Sequence, residues 1–366
     1  MKENNTYFLC ATQYSNVGDL LINKMLIDEL SRYGKVFVDT KNIPTDFLCY
    51  LLEDNDNVFD VYATEGISIK SGNFPAWMTF LKKANVGLFV QNPGPIVVYP
   101  FFHIRYFYFK LMNTCLRTLR IPIYRIGSCC AAVLAQGRKI PNKGIKKSYF
   151  RSKESVKNLQ KAGLGNIDFI PDMAFLLNNR VKVKDKRKIV VLSFRPIIDD
   201  RSLFEKWLKS TIEGLVGQGY NVEFCYQVKS DEQFTKELYE QFKSPNVTIR
   251  SELLWWKDLD YYADKEIVIS NRLHALIIGA VYGSIPIAAV NDDAKVSKIK
   301  EVFDSSFNEE LNLITNYEDD GFISHVINNK EAIGRSIRNS VIQNANICRD
   351  RIQDIFTCLV NKNPLA

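Results

Sequence analysis

Hydrophobic positions along this chain alternate between two spacings: short continuous apolar runs, and longer stretches in which apolar residues recur three and four apart. The first spacing predicts buried strands at Tyr7 to Ala11, Val36 to Val38, Val86 to Val90, Pro122 to Ile126 and Asp168 to Ile170. The second predicts helices. In Asp19 to Arg32, Leu20, Leu21, Ile22, Met25, Leu26 and Leu30 keep helical period until Gly34 stops it, and Lys153 to Ala162 is closed by Gly163. Strands alternating with helices in this way make a parallel sheet covered on both faces. A polar, basic stretch from Asn178 to Lys188 then interrupts the pattern as a linker would. Beyond it the rhythm restarts, with strands at Ile189 to Phe194, Val222 to Tyr226, Glu266 to Ser270 and Pro286 to Val290, and helices at Ser202 to Gly217, Asp231 to Phe242 and Leu273 to Tyr282. The reading is α/β, with two doubly wound domains at 1–180 and 188–330. The tail 331–366, helical from Glu331 to Val360, is expected to pack back on their joint.

The length of 366 residues suits two domains of ordinary size, and 46% hydrophobic with 24% charged residues excludes a disordered or fibrous chain. No apolar run reaches the roughly 18 residues of a spanning helix. Pro93, Pro95 and Pro100 break the greasiest stretch, and Arg105 follows. Met1 to Thr12 carries only the apolar patch Tyr7 to Cys10, so export is not expected and a cytoplasmic location is. The 8 cysteines form no C-x-x-C pair, and His103, His274 and His325 are far apart, so no metal site is expected. A net charge of +7 suits an anionic substrate or an anionic membrane face; a nucleic-acid duplex demands a denser basic surface.

The segment richest in chemistry runs from Glu266 to Ala280. An apolar strand ends at Ser270, Asn271 is expected to cap the next helix, and Arg272 and His274 fall in its first turn. Unpaired N–H groups and the positive end of a helix dipole favour an anion there. Arg272 adds a planar fork for phosphate or carboxylate, and His274 exchanges protons near neutral pH. The alternative is an ordinary cap followed by two surface residues. A second strand-to-helix turn, Ser15 to Asp19, has Gly18 for a close approach and Asp19 at the helix start; the helix dipole alone accounts for that acid, and a role as general base is the functional alternative. Tyr99 to Lys110 mixes aromatic residues with cations, which fits either core packing or a helix in a membrane interface.

Together these motifs resemble the polysaccharide pyruvyl transferase family. The match runs through Asn16-Val17-Gly18-Asp19, then Arg151-Ser152-Lys153-Glu154-Ser155 with Leu159 and Gly163, then Pro171-Asp172-Met173-Ala174-Phe175. It ends on Ser270 to Pro286, which reads S-x-R-L-H-A, an apolar helix, a glycine and a strand-opening proline, with Lys295 trailing. Gln91-Asn92-Pro93-Gly94-Pro95 departs from the glycine-rich run of many members. The resemblance implies two Rossmann-like domains facing a cleft, as in GT-B glycosyltransferases, with the acceptor on the amino-terminal side and the donor phosphate on the carboxy-terminal side. It implies a transferase that takes pyruvate from phosphoenolpyruvate and builds a ketal on two hydroxyls of a sugar, for capsule or exopolysaccharide biosynthesis. Phosphoenolpyruvate would be the donor substrate, with no further cofactor. The acceptor would be a saccharide; the net charge of +7 and the aromatic-basic stretch Tyr99 to Lys110 add the expectation that it is lipid-linked, with peripheral association at the inner membrane face. Arg272, Asn271, Leu273, Lys295, Arg151, Arg195, Asn16 and Gly18 would bind substrate, His274 would be the acid and Asp19 the base. The alternatives are a GT-B glycosyltransferase using a nucleotide sugar, and a non-enzymatic glycan- or anion-binding protein.

Overall fold

The computed structural model describes residues 5–41, 43–64, 74–96, 103–130, 140, 142–197, 200–291, 297–319 and 321–361. The chain divides into two compact units. The first comprises Met1–Tyr14, Asp19–Met173 and Asn346–Ala366; the second comprises Ser15–Gly18 and Ala174–Ala345.

The first unit carries strands β1 (Asn5–Leu9), β2 (Val36–Asp39), β3 (Val58–Asp60), β4 (Val86–Gln91), β5 (Gly94–Pro95), β6 (Ile123–Cys129), β7 (Lys147–Phe150) and β8 (Ile167–Phe169). They pair in the order β3-β2-β1-β4-β6-β7-β8, with the short β5 also on β6, and every pairing is parallel. Helices α1 (Val17–Leu30), α2 (Thr45–Leu52), α3 (Phe74–Lys83), α4 (Ile104–Thr118) and α5 (Lys153–Lys161) fill the crossovers. The expected Tyr7 to Ala11 strand is observed two residues earlier because polar Asn5 is satisfied inside the sheet. Its Nδ2 donates to the Ala84 carbonyl at 2.8 Å and its Oδ1 accepts from the Lys35 N–H at 3.1 Å. Tyr7 stacks on Phe89 at 5.4 Å, and Phe37, Phe80, Leu116 and Ile123 complete an apolar cluster on one face of the sheet.

The second unit repeats the pattern with β9 (Arg187–Ser193), β10 (Asn221–Phe224), β11 (Val247–Ile249), β12 (Lys265–Ser270), β13 (Ile285–Ala289) and β14 (Ile314–Thr315), ordered β11-β10-β9-β12-β13-β14 and parallel throughout. Its helices are α6 (Arg201–Gly217), α7 (Glu232–Phe242), α8 (Leu273–Val281), α9 (Ser297–Ser306) and α10 (Phe322–Asn328). The long α11 (Lys330–Asn361) gives its first part to this unit and its last part to the first unit. Apart from His274, every residue of α8 is buried, as expected for a helix apolar on all sides. At Gly279 a Cβ would come within 2.6 Å of Val268 Cγ2, so only glycine allows α8 to lie so close on β12.

Both sheets start at an inner strand, wind to one edge, and return to wind to the other. This is the doubly wound, Rossmann-like order, and it leaves a switch point where consecutive crossovers diverge: between β1 and β4 in one sheet, and between β9 and β12 in the other. The sequence expectation of two such sheets is met.

Candidate functional site

In the second sheet, Ser193 and Ser270 end their strands in register at the switch point. Ser270 Oγ, fully buried, donates to the Ser193 carbonyl and accepts the Arg272 N–H at 2.9 Å, which ties the two strand ends together and turns the chain into α8. The structure corrects the expected cap. Arg272, not Asn271, occupies the N-cap position, with extended φ −107° and ψ 112° and no side-chain cap bond, and the helix opens at Leu273. Asn271 does not cap because its amide is used elsewhere: Oδ1 accepts the Arg195 N–H at 2.8 Å and Nδ2 donates to the Arg195 carbonyl at 3.4 Å. Arg195 returns the contact, with Nη2 donating to the Asn271 carbonyl at 2.8 Å and Nε at 3.3 Å. The loops after β9 and β12 thus hold each other through backbone and side chain.

Arg272 is anchored by a residue that sequence reading took only for a helix start. Its Nε donates to Asp231 Oδ2 at 2.8 Å and its Nη2 to Oδ1, a bidentate pair. Asp231 closes a short 3₁₀ turn (Lys229–Asp231) ahead of α7 and makes no side-chain cap bond there, its carboxylate being spent on Arg272. The Asp231 side chain is 2% exposed and that of Arg272 24%, so the fork is held from the inside and keeps an accessible edge. Nothing in the local sequence around Asp231 distinguishes it from an ordinary cap.

His274 is the second residue of α8, and a turn from far back in the sequence packs on it. Ser15–Gly18 belongs to the second unit although its chain neighbours belong to the first, and Asn16 bridges antiparallel to Val228 in the loop before Asp231. Asn16 Oδ1 accepts the Gly18 N–H at 3.0 Å. A Cβ on Gly18 would fall 2.0 Å from His274 Nδ1 and 2.5 Å from His274 Cβ, so glycine is what lets the turn reach the imidazole. The second unit therefore brings together Asn16, Gly18, Arg195, Asn271, Arg272, Leu273 and His274 at the carboxyl ends of its strands, where doubly wound sheets bind ligands. This arrangement can bind an anion through the helix start and Arg272, and can move a proton through His274.

The remaining expected residues are placed elsewhere. Asp19 is in the first turn of α1 and in the first unit, where its Oδ2 accepts from Thr12 Oγ1 at 3.0 Å and from the Gln13 N–H at 3.3 Å. Arg151, also in the first unit, has a side chain 2% exposed and donates to Asp172 Oδ2 at 2.7 Å. Burial alone would lower its affinity for the proton, but the Asp172 carboxylate together with Cys129 outweighs that and raises it, so the guanidinium stays charged. Lys295 lies outside the described residues.

Residues 16–284 match the sequence model of a family described as polysaccharide pyruvyl transferase. No curated protein matches the sequence significantly. Among solved structures, the chain is similar to a putative UDP-N-acetylglucosamine 2-epimerase from Listeria monocytogenes, with TM-score 0.63 and 9% identity over 98% of this chain and 97% of that one. It is similar to a glycosyltransferase from Rickettsia africae, with TM-score 0.61 and 11% identity over 98% and 99%. It is also similar to a UDP-GlcNAc 2-epimerase from Neisseria meningitidis bound to UDP-GlcNAc, with TM-score 0.60 and 9% identity over 98% and 99%. At such identities the likeness shows the fold: two Rossmann-like sheets, as in GT-B glycosyltransferases and epimerases.

Proposed function

This chain belongs to the polysaccharide pyruvyl transferase family, and on that premise we propose that it transfers pyruvate from phosphoenolpyruvate to two hydroxyls of one sugar, forming a ketal in surface or capsular polysaccharide biosynthesis. The observation that supports this most directly is the first turn of α8, where Arg272 is oriented by buried Asp231 and His274 is set against Gly18. Phosphoenolpyruvate carries a phosphate and a carboxylate. The helix start and the accessible edge of Arg272 supply N–H donors and positive charge for one of them.

In the proposed reaction His274 donates a proton to the methylene carbon, which becomes the methyl group. A sugar hydroxyl adds to the neighbouring carbon, the bond from that carbon to the phosphate oxygen breaks, and the second hydroxyl closes the ring. Of the two hydroxyl protons released, one restores His274 and the other leaves with inorganic phosphate. Asp19 is the proposed first acceptor of a hydroxyl proton. We place the reaction at the cytoplasmic membrane face with a lipid-linked acceptor, a setting that the net charge of +7 suits.

The test is incubation with a saccharide acceptor and either phosphoenolpyruvate or nucleotide sugars, measuring phosphate or nucleotide released. Nucleotide release alone would favour a nucleotide-sugar glycosyltransferase, the reading suggested by the UDP-GlcNAc in the Neisseria structure. His274→Gln keeps a hydrogen-bond donor but cannot titrate near neutral pH. It should lower turnover roughly 10²–10⁴-fold with donor affinity changed far less. Near-normal turnover in that variant would remove His274 as the acid.

A further inference from the structure

Helix α4 has two apolar sides, and the core of the first unit uses only one of them. Met112 and Leu116 are buried in the cluster around Tyr7 and Phe89, with Phe109, Cys115 and Leu119 packed beside them. Ile104, Phe107, Tyr108 and Leu111 form a second stripe, spaced i, i+3, i+4 and i+7, and they are 77%, 46%, 55% and 51% exposed. At 3.6 residues per turn these four fall within an arc of about 100°. The edge contact of Tyr108 on Phe74, ring centroids 6.4 Å apart, fixes one margin of the stripe without covering it. The helix is also firmly begun, since His103 accepts the Arg105 N–H at 3.1 Å as its N-cap. A contiguous set of large apolar side chains on a well-anchored helix marks an interaction surface.

The charges on this helix indicate the partner. From Ile104 to Thr118 there is no acidic residue, while Arg105, Lys110 and Arg117 are all exposed and Arg120 follows just beyond. Aromatic rings beside long cationic side chains match the boundary between headgroups and acyl chains of an anionic bilayer. An aqueous protein partner would have to supply acid to both Lys110 and Arg117. No helix of the described residues is long and apolar enough to cross a membrane, so the contact is one of lying in the surface. We infer that α4 is a membrane-docking helix, which inserts Ile104, Phe107, Tyr108 and Leu111 among anionic lipids while Lys110 and Arg117 pair with headgroup phosphates. The inference deepens the membrane part of the proposed function and stands apart from its transfer chemistry.

The experiment is co-sedimentation of the full chain with vesicles of phosphatidylcholine alone or with about one third phosphatidylglycerol. Binding is expected to the anionic vesicles, about tenfold weaker at 0.5 M than at 0.05 M salt. The variant Ile104→Gln/Leu111→Gln should lose this binding while keeping its thermal transition and its phosphate release from phosphoenolpyruvate with a soluble acceptor. Lys110→Glu/Arg117→Glu should bind more weakly and lose most of the salt dependence. Failure of the wild type to bind anionic vesicles at low salt would overturn the inference, as would undiminished binding of the Gln variant. A dimer in solution that the Gln variant dissolves would assign the stripe to a second copy of the chain and overturn it equally. Because release with a soluble acceptor is measured separately, loss of docking and loss of the transfer reaction remain distinguishable.

Discussion

Each unit holds an arginine on a buried aspartate, and the two pairs serve different ends. Arg151 and Asp172 in the first unit meet at 2.7 Å with side chains 2% and 1% exposed; Arg272 and Asp231 in the second meet at 2.8 Å with side chains 24% and 2% exposed. The aspartates are equally hidden, so the difference lies in the arginine. Arg151 follows β7, inside the first sheet's own packing, and its charge is enclosed. Arg272 stands where β12 hands over to α8 at the switch point, with one edge of its fork open. The same interaction is thus a structural lock in one place and, in the proposed function, a mount for a donor-facing cation in the other. The switch points differ in the same sense. In the first sheet Asn92 closes the gap, its N–H on the Leu9 carbonyl at 3.2 Å and its amide on the Ala11 carbonyl at 2.9 Å, and the nearby Arg125 is buried, pulled down to about 10 by burial, with Nε on Gln91. In the second sheet Ser270 and the Asn271–Arg195 contacts make the closure, and Arg272, held by Asp231, keeps an exposed edge.

The largest expected effect separates the two pairs. Asp172→Ala strands a charged guanidinium in the core and should cost about 3–5 kcal/mol in urea unfolding, whereas Asp231→Ala should cost less than half of that because Arg272 can rehydrate. Equal costs would show the pairs to be alike. Next is Gly18→Ala, which drives a methyl into His274. Overpacking of this kind costs about 1–3 kcal/mol, and turnover should fall with it. Normal activity in that variant would mean the turn can withdraw from His274 without consequence. Asp231→Asn keeps the shape but weakens the hold on Arg272, and should raise KM for phosphoenolpyruvate about tenfold with a smaller change in kcat. A pure loss of kcat would argue that Arg272 acts only in the transition state.

The smallest effect extends the series to a surface pair, Lys147 with Asp168, whose side chains are 33% and 29% exposed. Partial burial would raise the Asp168 carboxyl, but hydrogen bonds from Lys147 and the Phe169 N–H, with Arg351 nearby, outweigh it and hold it below the ordinary range. A carboxyl depressed in the folded state adds stability above its unfolded value of about 3.9, and that contribution is lost as pH falls through the folded value. Urea midpoints of wild type and Asp168→Asn should therefore differ slightly at pH 6 and converge in acid; a gap that widens toward low pH would contradict this sign.

The sequence by itself determined the two doubly wound sheets, since buried parallel strands such as Ile267 to Ile269 and all-apolar helices such as α8 write different periods into the chain. It also singled out Arg272 and His274, because a basic residue at a strand-to-helix turn is a local feature. The tertiary structure alone decided what those residues touch. Asn271 reads as a cap, yet its amide is taken by Arg195, 76 positions away. Asp231 reads as a helix start, yet it holds Arg272, 41 positions away. Gly18 reads as one glycine among 18, yet it is where a distant turn meets His274. In α4, periodicity shows two apolar sides without telling which the core covers. The physical reason is the same in each case: helix and strand periods depend on neighbours in sequence, whereas a polar group's partner and an apolar face's cover depend on which segments the closed sheets bring alongside.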